Sequence, residues 1–158
     1  MVMLLTLPFF LQGVLIGYDE FHFHRKRGLP RWERIGHPLD TFTVLLCFLF
    51  LLFFPYSSLT LKIYIGLAFF SCIFVTKDEF IHKECCPATE QWLHAVLFLN
   101  HPILLTLGGI FWYILYQAVH ASLHPFLWKF LWGQASLMFL FATYQIIYWN
   151  LLWKKAAL

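Results

Sequence analysis

Glutamate and histidine recur in this chain at spacings that can grip a metal ion. Glu20 and His24 are four residues apart, as are Glu33 and His37 and also Glu90 and His94, while Glu79 and His82 are three apart. Residues three or four apart lie on one helix face, with Cβ atoms about 5–6 Å from each other. A carboxylate and an imidazole placed that way offer an oxygen and a nitrogen to the same ion, a donor set that suits iron, manganese or zinc. Asp19 with His22, and Asp78 with His82, are alternative pairings at the same positions.

These residues are concentrated. All eight acidic residues fall in 19–40 or 78–90, and His22, His24, His37, His82 and His94 lie in or beside the same windows. The windows also resemble each other. "YDEFHFH…LPRWERIGHP" and "KDEFIHKECCPATEQWLHAV" both open on Asp-Glu-Phe. Each then reaches a histidine, a proline, a glutamate near a tryptophan, and a histidine four residues after that glutamate. This reads as an internal duplication of a helix–loop–helix unit, with one copy at about 1–56 and the second at about 57–119. Eight candidate ligands, Glu20, His24, Glu33, His37, Glu79, His82, Glu90 and His94, then converge on one level of a four-helix bundle.

The elements that must carry them are apolar. Of 158 residues, 61% are hydrophobic and 12% charged, against about half and a quarter in soluble domains. A single domain of this size cannot hide so much apolar side chain from water. Five stretches read as membrane spans: about Val2–Tyr18, Thr41–Phe54, Leu59–Val75, Trp92–Val119 and Pro125–Trp153. The expected fold is an all-α integral membrane protein, one membrane domain over 1–158, made of the duplicated bundle and an additional helix at about 125–153. "FPYSSLT" reads as the turn between the second and third spans.

Charge orients this arrangement. With five spans, Arg25, Lys26, Arg27, Arg31, Arg34, Lys77, Lys83, Lys154 and Lys155 share one side, and only Lys62 and Lys129 lie on the other. The positive-inside rule then places the N-terminus outside and the C-terminus in the cytoplasm. The basic run "HRKR" is too short and too mixed with acids to indicate nucleic acid. Cys47, Cys72, Cys85 and Cys86 form no disulfide framework and read as free thiols.

Other polar residues are candidates for a supporting role. His101 shares a helix face with Glu90 and His94, about two turns deeper. Asp19, His22, Asp78, His101, Tyr144 and Tyr148 are possible further ligands or second-sphere groups. His120 and His124 fall at the opposite face, as a polar turn or a separate small site.

The pattern resembles, at motif level, the dimetal carboxylate bundles, where two helices give a Glu each and two give a Glu-x-x-His pair. Only Glu79–His82 has that strict spacing, and the paired-histidine boxes of membrane desaturases are absent. The resemblance implies a site for two metal ions, iron first, with manganese or zinc as alternatives. The expected function is a metal-dependent membrane oxidoreductase acting on a lipid or other apolar substrate, with an electron donor not specified. A metal-ion transporter or metal-binding protein is the alternative, and a zinc-dependent lipid hydrolase the second.

Overall fold

The computed structural model describes residues 2–78, 86–117 and 124–153. Helix is the only regular structure among them. Five main helices follow in order: α1 (Leu7–Tyr18), α2 (Arg31–Phe53), α3 (Ser58–Phe74), α4 (Ala88–Tyr116) and α5 (His124–Ile147). A tight 3-10 turn, Val2–Thr6, precedes α1. A widened π-helical turn, Asp19–His24, and a last turn, Arg25–Arg27, follow it. A second π-helical turn, Tyr148–Leu152, extends α5.

Four of these helices are long and apolar enough to cross a membrane: Arg31–Phe53, Ser58–Lys77, Ala88–Tyr116 and His124–Leu152. α1 is not among these four. Its regular part has 12 residues, about 18 Å at 1.5 Å per residue, and the turns that flank it continue the helical run from Val2 to Arg27.

Each boundary has a local cause. Ser57 begins α3 with a capping box, its hydroxyl accepting from the Thr60 amide and the Thr60 hydroxyl accepting from the Ser57 amide. Pro30 precedes α2 at φ −63° and ψ 160°, and Pro87 precedes α4 at φ −65° and ψ 155°. Both helices therefore start from the same extended proline, and Glu33 and Glu90 each occupy the third helical position. Inside α2, Pro38 has no amide to offer the carbonyl of Arg34. Asn150 Nδ2 donates to that carbonyl at 3.2 Å.

The helices alternate in direction. α1, α3 and α5 finish at the end where α2 and α4 begin, as the contacts Lys77–Asp40, Asn150–Arg34 and Arg27–Glu90 require. α2 is central and packs most extensively on α5, then on α3, while α1 lies chiefly against α4. The core is aromatic and aliphatic: Phe48, Leu51, Phe111, Trp112, Leu127 and Leu131 are at most 1% exposed. The outward faces are equally apolar. Phe10, Phe69, Leu99 and Phe139 are each at least 60% exposed, more apolar surface than water tolerates on a soluble monomer. Arg25, Lys26, Arg27, Arg31, Arg34 and Lys77 gather at the first end, and Lys62 and Lys129 at the other.

Gly28 turns the chain from α1 into α2 at φ 74° and ψ 155°, a region nearly exclusive to glycine. A Cβ there would lie 2.5 Å from the Trp153 ring. Gly28→Ala is expected to cost about 1–3 kcal/mol through backbone strain alone. Thermal unfolding of the detergent-purified protein checks this, and an unchanged midpoint contradicts it.

Candidate metal centre

At the basic end, four carboxylates and three imidazoles meet below the surface. The π-helical turn makes this possible at α1. An i→i+5 turn is rare and is found most often at functional sites. Here it lets Asp19, Glu20 and His24 share one buried face, at 6%, 2% and 3% exposure. α2 contributes Glu33 and His37, and α4 contributes Glu90 and His94. Glu33 and Glu90 sit in the first turns of their helices, where the positive end of the helix dipole favours a carboxylate.

Asp19, His24, Glu90 and His94 are all buried, and each offers a ligand atom within 4.8 Å of the others. His24 Nε2 lies 3.2 Å from Asp19 Oδ2 and 3.7 Å from Glu90 Oε1, and His94 Nε2 lies 3.2 Å from Asp19 Oδ2. Donors around an ion at about 2.1 Å in tetrahedral array are about 3.4 Å apart, so these edges fit such a shell. Asp19 Oδ1, His24 Nε2 and Glu90 Oε2 are buried without a hydrogen-bond partner. Unpartnered polar atoms are costly away from water, and three in one cluster are atoms that an ion could satisfy. A second grouping, His24, Glu33 and His37, draws on the same His24. His37 Nε2 is 3.9 Å from Glu33 Oε2, and the His24 and His37 rings are 4.8 Å apart.

The expected ligand Glu20 has a different environment. Its Oε1 accepts from Tyr144 Oη at 2.5 Å and from Trp149 Nε1 at 3.0 Å, and its Oε2 lies 3.4 Å from His24 Nδ1. A carboxylate behind the distal nitrogen of a ligating histidine fixes the ring and its tautomer. Arg25 donates to Tyr144 Oη from outside at 3.3–3.4 Å. Arg27 bridges Glu33 and Glu90, with Nη2 at 3.1 Å from Glu33 Oε2 and 2.9 Å from Glu90 Oε1.

The electrostatics follow these contacts. Burial works to raise the Asp19 carboxyl, yet the His94 hydrogen bond and the charges of His24, His94 and His37 hold it below the ordinary value. Burial likewise opposes ionisation of Glu20, and hydrogen bonds from His24, Tyr144 and Trp149 bring it down. Arg27 is disfavoured by burial but raised overall by the Glu33 and Glu90 carboxylates. Burial pushes the neighbouring Cys86 thiol up to about 12, which keeps it neutral.

The remaining expected residues are placed as follows. His22 is exposed, stacked on Tyr18 and 3.3 Å from Lys26 Nζ. Tyr148 stacks on Tyr144 and lies under the Arg25 guanidinium, without a contact to the carboxylates. His101 is buried deeper, 3.1 Å from Ser71 Oγ. Glu79 and His82 lie outside the described residues, as do Cys85 and His120, and of Asp78 only the backbone is described. His124 begins α5 at the opposite end and stacks on Trp128. Asn100 donates to Pro8 O and Gln12 Oε1, fastening α1 to α4. Trp149, not among the expected site residues, is a buried donor to Glu20. Its spacing from Tyr144 and Asn150 on one helix end was the available signal.

A cavity of about 110 Å³ adjoins the cluster. Asp19, His24, His37 and His94 line one part, His101 and Gln145 supply polar points, and Ile16, Val44, Leu97, Leu104 and Phe141 make apolar wall.

Comparison with protein-family models, curated proteins and solved structures finds no match. The class defined by fold and site is therefore a helical protein with a candidate buried Asp/Glu/His metal centre.

Glu20→Gln separates a ligand from an orienting group. It is expected to weaken divalent-metal binding about 10–100-fold, the usual effect of losing an outer-shell partner, while leaving the number of ions per chain unchanged. Titration of the stripped protein with manganese(II) measures both. Loss of an ion from the stoichiometry would make Glu20 a ligand.

Proposed function

We propose that this chain is an integral membrane metalloprotein whose centre holds iron and oxidises a lipid or other apolar molecule. The observation that carries the reading is the buried set Asp19, His24, Glu90 and His94, with unpartnered atoms on three of its members, beside a cavity with apolar wall. Two histidines and carboxylate oxygens are the donor type of non-haem iron sites with open positions for oxygen. Bound iron supplies oxygen activation. In a hydroxylation, one oxygen atom enters a C–H bond, and the other leaves as water with two electrons and two protons from an electron donor.

The chain's own residues do the rest. Glu20 orients His24, with Tyr144 and Trp149 holding Glu20. The apolar wall excludes water and positions a hydrocarbon segment. An apolar cavity of about 150 Å³ accommodates benzene, so the smaller room here suits the end of one alkyl chain.

Membrane embedding rests on the four apolar helices and their exposed apolar faces. The centre then lies at one interface. The basic residues at that end make it cytoplasmic, with the C-terminus there and the N-terminus opposite. The matched starts of α2 and α4, each an extended proline followed by a buried glutamate at the third position, support a duplicated unit.

The same ligands with zinc would suit hydrolysis of a lipid ester or amide. Transport of a metal ion is less well supported. The described acidic residues all lie at one end, and His101 is the deeper histidine.

The test uses the full chain loaded with iron(II) without oxygen, then exposed to oxygen, a reductant and membrane lipid extract. Mass spectrometry is expected to find lipid that has gained oxygen or lost two hydrogens. Asp19→Ala with His94→Ala removes both metal and product. Leu97→Trp, which fills the cavity, keeps the metal and lowers product about tenfold or more, an effect of about 1.4 kcal/mol on the barrier. Oxygen-independent cleavage by the zinc-loaded protein, with no oxidised product from the iron form, replaces oxidation by hydrolysis.

A further inference from the structure

In a dimetal carboxylate bundle, glutamates from opposing helices share the space between two ions. Glu33 of α2 and Glu90 of α4 occupy equivalent places here, at 0% exposure each, but the group between them is a guanidinium. Arg27 Nη2 lies 2.9 Å from Glu90 Oε1 and 3.1 Å from Glu33 Oε2, and Nη1 lies 3.4 Å from Glu33 Oε1. Both oxygens of Glu33 thus accept from Arg27. Glu90 gives it one oxygen and keeps the other, Oε2, without a partner.

From this we infer that Arg27 takes the place of a second cation, so that the centre holds one divalent ion, on Asp19, His24, Glu90 and His94. The inference rests on the reading that the centre binds metal, and it replaces the two ions expected from sequence.

Three independent features agree. First, both ligand groupings draw on His24, whose Nδ1 lies toward Glu20 while Nε2 lies toward Asp19 and Glu90. The nitrogen left for an ion binds one. Second, three of the four members of the first grouping, Asp19, His24 and Glu90, each carry a buried atom without a hydrogen-bond partner. Third, charge closes with one ion. Four buried carboxylates, Asp19, Glu20, Glu33 and Glu90, face two guanidinium groups, Arg27 directly and Arg25 through Tyr144. The two negative charges left over equal one divalent cation. A second ion would bring two more positive charges, offset only by displacing Arg27 or adding an anionic bridge. Buried charge without such compensation is expensive.

Arginine suits this role. It stays protonated in proteins, and its planar fork spans two carboxylates with fixed spacing. It also arrives from the turn before Gly28, so the same segment that delivers His24 delivers the cation beside it. The second sequence window contains no arginine. One guanidinium therefore serves the glutamates of both α2 and α4.

Manganese(II) alone is the probe. The full chain, stripped with chelator and re-equilibrated, is measured for bound metal and by electron paramagnetic resonance. Wild type is expected to bind one ion per chain with the signal of an isolated ion. Glu33→Gln keeps that one ion, because Glu33 is Arg27's partner and not a ligand. Arg27→Lys keeps one as well. Arg27→Gln, prepared with manganese present throughout, exposes Glu33 and Glu90 to each other and takes up a second ion, giving an exchange-coupled signal. Two coupled ions in wild type, or loss of an ion in Glu33→Gln, would overturn the inference and leave the metal reading intact. One ion in a folded Arg27→Gln would also overturn it. No bound ion in wild type would remove the metal reading itself.

Discussion

A carboxylate taken out of water loses hydration worth several kcal/mol, which only a close cation or several donors can restore. This bundle buries Asp19, Glu20, Glu33 and Glu90 together at one end, each at most 6% exposed. The rest of that end is arranged around this constraint. Two carboxylates begin helices, where the dipole helps them. One is wrapped by Tyr144, Trp149 and His24. Arg27 sits between two, and His94 reaches Asp19 from another helix. The atoms that protein groups do not satisfy remain in a single cluster. A cation at that cluster would complete the set.

The fold serves the cluster by bringing three helix ends to one level. α1 delivers Asp19, Glu20 and His24 through its widened turn, and Gly28 permits the chain to reverse tightly enough for Arg27 to reach Glu33 and Glu90. α5 closes the side, with Trp149 on Glu20 and Asn150 on the carbonyl that Pro38 leaves without an amide. Beyond the candidate ligands the walls become apolar, which sets the polar cluster beside a space lined by hydrocarbon. That combination, at one end of helices that expose phenylalanine and leucine outward, is what the proposed oxidation of a bilayer-borne substrate would use.

Much of this was legible in the sequence. The apolar runs located α2 to α5, and "FPYSSLT" marked the break before α3. Glu/His spacing pointed to His24, Glu90 and His94. What the spacing could not show is which neighbour a side chain meets across helices. A regular helix would present Glu20 with His24, and the π-helical turn instead presents Asp19 as well, which meets His94 of α4. Arg27 looked like one of nine basic residues setting topology, since charge sign alone does not reveal contact with two buried glutamates. α1 looked like one uniform helix because composition does not register where a regular helix gives way to tighter and wider turns.

X-ray absorption spectroscopy of the purified full chain, carrying the metal with which it is isolated, tests the centre most directly. The account predicts a first shell of nitrogen and oxygen alone, with the outer-shell scattering of two imidazoles from His24 and His94, lost together in His24→Ala with His94→Ala. A sulfur-containing shell, or an all-oxygen shell without imidazole scattering, would contradict it.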